Sequence, residues 1–231
     1  MISRSTELLG STGLFYAVPA GESPDNCQVD LYLAASRMAP DAFLGYTSAL
    51  ELWAGFEPKY ARRMFVYTES RVRPTWFRGH QLVPCSIPWH LLRRGYGDFG
   101  VETLERDLLR LRLTGPERTL VDVLANLNRY GAWQLPLALL QTLTLDLKID
   151  VVVEYLRLLE NPTTNVRVGW FLDYQRERLN RDPWDFAIFY DDIPGQPRYL
   201  VPCERGGRMI SDWNLIVPAK VAKSYFQSRR R

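Results

Sequence analysis

The sequence predicts an α+β fold, a mostly antiparallel mixed sheet with a helical group packed against it. Three observations lead there. Residues 63–113 hold β-branched and aromatic runs broken by Pro and Gly. Residues 114–180 place apolar side chains at helical spacing, and residues 198–217 return to short extended runs. The order is helices, strands, helices, strands, without the regular strand–helix alternation that builds a parallel sheet.

The elements follow in chain order. Gly13–Val18 reads as a strand and Pro19–Asn26 as a turn-rich loop. Residues 28–39 read as a helix and Ala42–Tyr46 as a short buried strand. Ser48 and Glu51 form an S-x-x-E box ahead of a helix over Ala49–Ala54 that stops at Gly55. Met64–Thr68 is a strand, Arg71–Arg78 is basic and aromatic, and Gly79 breaks it. Gln81–Ile87 is a further strand whose Pro84 marks an edge or a bulge. Val101–Leu113 reads two ways. Leu104–Leu109 fits a short helix, whereas Leu111 and Leu113 alternate with Arg112 as in a strand.

Thr114–Leu124 is written as a helix start. Thr114 is placed to cap, Glu117 follows three residues on, Pro116 sits in the first turn, and Leu120, Val121 and Leu124 repeat at helical spacing. Arg118 and Asp122 are four apart, on one helix face. Helices are predicted over 115–130, 134–144, 150–160 and 165–180, the last two capped by Asp150 and Asn165. Strands then cover Arg198–Pro202 and Met209–Val217. The predicted divisions are an N-terminal strand and loop (1–27), a main domain (28–218) with a weak boundary near 114, and a flexible basic tail (219–231).

Composition bounds the function. The 231 residues are 46% hydrophobic and 13% aromatic, enough to bury a sizeable core. A formal net charge of +3 does not by itself select a polyanionic partner. Of 29 basic residues only Lys59, Lys148, Lys220 and Lys223 are lysines. Arginine's planar fork suits carboxylates and phosphates, although the codons of a GC-rich genome produce the same excess. Cys27, Cys85 and Cys203 are odd in number and show no metal-ligand spacing, so neither zinc nor a disulfide framework is expected. No signal peptide and no apolar run of about 20 residues is seen, so the expected location is the cytoplasm, away from membrane.

No catalytic residue, metal ligand or cofactor site is assigned. His80 and His90 are the only histidines, and the nucleophile-elbow, phosphate-loop and dinucleotide fingerprints are absent. Asp182, Asp185, Asp191 and Asp192 cluster as a metal-dependent nuclease would require, or as solvated loop acids. The best binding candidate is Arg71, Arg73 and Arg78, interleaved with Trp76 and Phe77, with Arg93 and Arg94 one strand later. Such a surface tracks phosphates while a ring stacks on a base. The alternative is a hairpin whose arginines pair with Glu69 and neighbouring acids while Trp76 packs down. Arg229–Arg231 would add a weak, salt-sensitive attraction.

Several segments, in order, resemble the AbiEi-like antitoxins of bacterial type IV toxin–antitoxin systems, a family of predicted transcriptional regulators. They are Tyr46-Thr-Ser-Ala-Leu50 with Gly55, Val66-Tyr-Thr-Glu69, Arg78-Gly79, Pro116-Glu-Arg-Thr-Leu-Val-Asp122, Arg167-Val-Gly-Trp-Phe-Leu172, Tyr199-Leu-Val-Pro202 and Trp213-Asn-Leu-Ile-Val-Pro218. The likeness covers most of residues 13–218. Its motif residues include Tyr46, Ser48, Leu50, Thr68, Glu69, Glu117, Arg118 and Asp122, all expected to be structural. The family usually begins with a winged helix-turn-helix; residues 1–12 are too short to hold one, and Gly13–Val18 resembles the strand that ends its wing. The resemblance therefore implies a non-enzymatic antitoxin domain that neutralises a nucleotidyltransferase-type toxin without requiring a direct complex, with DNA or RNA as further partner. Two rival readings are a protein-interaction module working with a separate helix-turn-helix protein, and a metal-dependent nuclease. The oligomeric state is not indicated.

Overall fold

A computed structural model of the chain describes residues 5–8, 15–18, 20–23, 25–55, 62–106, 108–130, 132–143, 147–202 and 206–228. It is α+β, and antiparallel strand pairs outnumber parallel ones. The chain divides into two compact units, Met1–Gly115 and Pro116–Arg231. Among the described residues no helix is long and apolar enough to cross a membrane.

The N-terminal unit carries β1 (Ser5–Leu8) and β2 (Phe15–Val18), paired antiparallel. Then come α1 (Leu31–Ser36), β3 (Phe43–Leu44), α2 (Tyr46–Trp53), β4 (Arg63–Tyr67), β5 (Thr75–Phe77), β6 (His80–Cys85), α3 (Trp89–Arg93), β7 (Val101–Arg106) and β8 (Leu109–Thr114). Six strands form one sheet in the order β5-β6-β4-β3-β8-β7, with β4/β6 and β3/β8 parallel. Leu44, Met64, Val66, Leu82, Leu111 and Leu113 are buried on it beneath Tyr32 and Ala35 of α1 and Ala49 of α2.

Local chemistry sets these boundaries. Asp30 caps α1, accepting the N–H groups of Tyr32 (2.8 Å) and Leu33 (2.9 Å), so the helix is shorter than the predicted 28–39. The S-x-x-E box does not cap α2, which starts at Tyr46 with Gly45 as N-cap. Ser48 Oγ instead accepts the Phe65 N–H at 2.7 Å, and Glu51 is buried and accepts the Tyr32 hydroxyl at 3.1 Å. Gly45 is required by close approach, since a Cβ there would lie 2.4 Å from the Tyr67 ring. The ambiguous stretch after Val101 is the β7–β8 hairpin, not a helix, with Leu111 and Leu113 buried by two-residue alternation. Pro84 sits beyond the part of β6 that β5 pairs, Leu82 being the last partner, so its missing N–H breaks no ladder bond to β5.

The C-terminal unit opens with α4 (Pro116–Ala125) and a 3-10 turn (Leu127–Tyr130). Next come α5 (Gln134–Leu143), α6 (Ile149–Leu159), α7 (Pro162–Tyr174), α8 (Arg176–Leu179) and a 3-10 helix (Pro183–Asp192). β9 (Arg198–Tyr199), β10 (Arg208–Ile210), β11 (Leu215–Val217) and α9 (Ala219–Ser228) complete it, the strands ordered β10-β11-β9. α7 is the central element, with Val166, Val168, Trp170, Phe171 and Leu172 fully buried. Gly169 lets it approach Trp213; a Cβ there would lie 2.3 Å from the indole.

The C-terminal unit departs from its sequence pattern at two helix caps and at the tail. Asn161 caps α7, accepting the Thr164 N–H at 3.1 Å with Pro162 behind it. Asn165 lies a turn inside and donates to the Phe189 carbonyl at 2.9 Å. Lys148, not Asp150, is the N-cap of α6, and Asp150 falls in its first turn. The supposedly flexible tail is helical through Ser228, because Ala222 and Tyr225 are buried and the Tyr225 hydroxyl donates to Asp173 at 3.1 Å. Arg229–Arg231, Gly13, Leu14, Pro19 and Cys203 lie outside the described residues.

Candidate nucleic-acid interface

The five predicted arginines fall into three settings. Arg71 and Arg73 are exposed in the extended segment before β5, and among the described residues neither pairs with a carboxylate. β5 points Thr75 and Phe77 inward, so Trp76 is turned out and is 61% exposed; it does not pack down. Arg78 is a hairpin residue. It and Gly79 both have positive φ (47° and 77°), as a two-residue turn matched to strand twist needs. Its guanidinium donates to the Cys27 carbonyl and lies 5.6 Å from the Tyr16 ring and 5.4 Å from the Phe77 ring, so it is anchored within the unit.

Arg93 and Arg94 each meet an exposed ring. Arg93 lies 4.8 Å over Trp89, which is 66% exposed, and Arg94 lies 5.8 Å over Tyr96, which is 42% exposed. The first stack follows from i,i+4 spacing on α3. The second depends on Gly95, whose φ of 77° turns the chain after the helix, and Tyr96 carries no comparable sequence signal. A guanidinium flat on a ring gains cation–π attraction and presents its N–H donors at the edge, toward a phosphate.

The family-motif residues are internal. Tyr46 is buried with φ 51°, stacked on Tyr67 at 5.0 Å, and Leu50 is fully buried. Thr68 donates its hydroxyl to Asp41 at 2.7 Å, the Glu69 N–H donates to the same carboxylate at 2.6 Å, and Ser70 adds its hydroxyl at 2.7 Å. Partial burial would raise the Asp41 pKa, but these donors outweigh it and bring it to about 2. Glu51, by contrast, is pushed up to about 7 by burial, against the lowering effect of the Tyr32 hydroxyl. In the C-terminal unit Glu117 accepts the Lys148 N–H at 3.0 Å. Arg118 is buried, 3.5 Å from Asp122 and 5.3 Å over the Tyr155 ring, and Asp122 accepts the Tyr155 hydroxyl at 2.8 Å.

Of the four acids weighed for a nuclease, Asp191 and Asp192 are exposed and the other two are engaged at a helix start. Asp182 and Asp185 form a capping box at the start of the Pro183–Asp192 helix. Among the described residues no three His, Cys, Asp or Glu side chains gather as a metal site. Such a nuclease would also use a Glu with a Lys two residues after it; the sequence has this spacing at Glu57-Pro58-Lys59, outside the described residues.

Fold and surface together define an α+β protein whose N-terminal unit exposes several arginines and aromatic rings. The crystal structure of the RV2827C protein from Mycobacterium tuberculosis is similar to it, with a TM-score of 0.62 at 17% identity, spanning 98% of this chain and 79% of that one. At that identity the likeness shows the fold alone. No protein-family model and no curated protein matches the sequence.

Proposed function

We propose that the chain is a nucleic-acid-contacting regulator of the antitoxin type, acting in the cytoplasm without a catalytic centre. The observation that carries the contact surface is the pair of exposed stacks, Trp89–Arg93 and Tyr96–Arg94. An exposed ring accepts any base, contributing about 1–3 kcal/mol per stack, while guanidinium groups hold the backbone. Arg71 and Arg73 add charge near β5; Arg78 supports the turn. The antitoxin reading rests on the ordered motifs shared with AbiEi-like proteins. Its functional partner is a nucleotidyltransferase-type toxin, with no direct complex required.

Co-expression with a growth-arresting nucleotidyltransferase-type toxin tests this reading. Growth is expected to resume in cells otherwise arrested by that enzyme; persistent arrest with soluble protein present contradicts it.

A further inference from the structure

A second group of arginines lies at the opposite end of the six-stranded sheet. β5 forms one edge and the β7–β8 hairpin the other. Four strand steps separate β5 from β8, roughly 19 Å at ~4.8 Å per step. With Leu111 and Leu113 buried, alternation turns Arg110 and Arg112 to the other face of β8. Arg37, just past the end of α1, reaches across and donates to the Arg110 carbonyl at 3.4 Å. These three arginines line an open cavity of about 420 Å³ with Met38, Ala39, Pro40 and Ala42; Asp41 of the same turn is not in the lining, its carboxylate being taken by Thr68, Glu69 and Ser70.

The cavity is cationic by construction. Its lining contains no carboxylate, and among the described residues none pairs with Arg37 or Arg110. Glu105 stands opposite Arg110 in the ladder but is not part of the lining. Arg112 lies 5.6 Å over the Phe43 ring and 3.0 Å from Asp98, an exposed acid whose pairing is screened by solvent. Three like charges around one cavity repel one another, and a multiply charged anion relieves that repulsion. Guanidinium forks match phosphate oxygens in pairs, and the volume falls within the range of nucleotide-sized ligands.

We propose that this cleft binds a phosphate-bearing ligand, held by Arg37, Arg110 and Arg112. The phosphate belongs either to a free nucleotide-like compound or to a polynucleotide backbone. The proposal does not rest on the aromatic face: pyrophosphate has no base to stack on Trp89.

The test uses the full chain at fixed ionic strength, titrated calorimetrically with pyrophosphate and, in parallel, with a labelled single-stranded oligonucleotide. Arg110→Glu and Arg37→Ala, both surface changes, are compared with Trp89→Ala as control, with thermal melts to confirm folding. Wild type is expected to bind pyrophosphate, Arg110→Glu to weaken it at least about tenfold, and Trp89→Ala to leave it unchanged. Loss of oligonucleotide affinity in Arg110→Glu supports the proposal with the backbone as ligand. Retained oligonucleotide affinity with lost pyrophosphate binding supports it with a free phosphate compound as ligand. No pyrophosphate binding by wild type, or binding indifferent to both arginine variants, overturns it.

Discussion

The two units differ in where their arginines lie. In the C-terminal unit Arg118 and Arg167, with Asp122 and Asp173, turn inward to backbone and aromatic groups. Arg167 donates to the carbonyls of Tyr199 (2.9 Å), Leu124 (3.3 Å) and Ala125 (2.7 Å), two of them at the end of α4, where helix carbonyls lack partners. Burial lowers its pKa to about 10, which still leaves it charged at neutral pH. Asp173 accepts from the Trp213 indole (2.9 Å) and the Tyr225 hydroxyl. In the N-terminal unit Arg71, Arg73 and Arg93 are exposed, among exposed rings. The contrast teaches that the buried motif residues are scaffold, and that the proposed contact surface is drawn from exposed residues.

The largest effect should come from breaking the inward pattern. Arg167→Ala leaves three carbonyls unsatisfied and is expected to cost about 4 kcal/mol in urea unfolding; a loss below about 1 kcal/mol would show that the cation holds nothing. Burial raises the pKa of Glu51, in the N-terminal unit, to about 7. Protonation favours the folded state, so its contribution is complete below the unfolded pKa of 4.5 and is lost as pH rises through about 7. Stability should fall by about 3 kcal/mol across that window, and Glu51→Gln should flatten the profile. A wild-type profile that stays level from pH 4.5 to 7 would contradict this.

Smaller effects sharpen the outward pattern. Trp89→Ala should weaken single-stranded oligonucleotide binding by about 2 kcal/mol while changing unfolding free energy by less than about 0.5 kcal/mol. Tyr155→Phe, which leaves Asp122 its partner Arg118, should cost only about 1 kcal/mol of stability and no affinity. An affinity loss there would place binding in the C-terminal unit.

What was legible in the sequence was what neighbouring residues determine. Alternation at Leu111 and Leu113 marks β8, whereas the Trp89–Arg93 contact needs the short helix α3, which the sequence pattern did not predict. Local spacing misled where a distant group competed. Ser48 and Glu51 have capping-box spacing, but Phe65 and Tyr32 claim them, 17 and 19 residues away. Asn165 looks like a cap but belongs to Phe189, while Asn161 beside Pro162 fills the role. The Arg37–Arg110 cleft joins residues 73 apart, beyond any local pattern.

The central claim is that the exposed N-terminal arginines meet a nucleic-acid backbone. The direct measurement is the salt dependence of oligonucleotide affinity for wild type and for the combined Arg71→Ala, Arg73→Ala, Arg93→Ala, Arg94→Ala variant. Each lost phosphate contact should reduce the slope by about 0.7 for a single strand, so the variant's slope should be shallower by roughly 2–3. An unchanged slope in a folded variant would contradict the account.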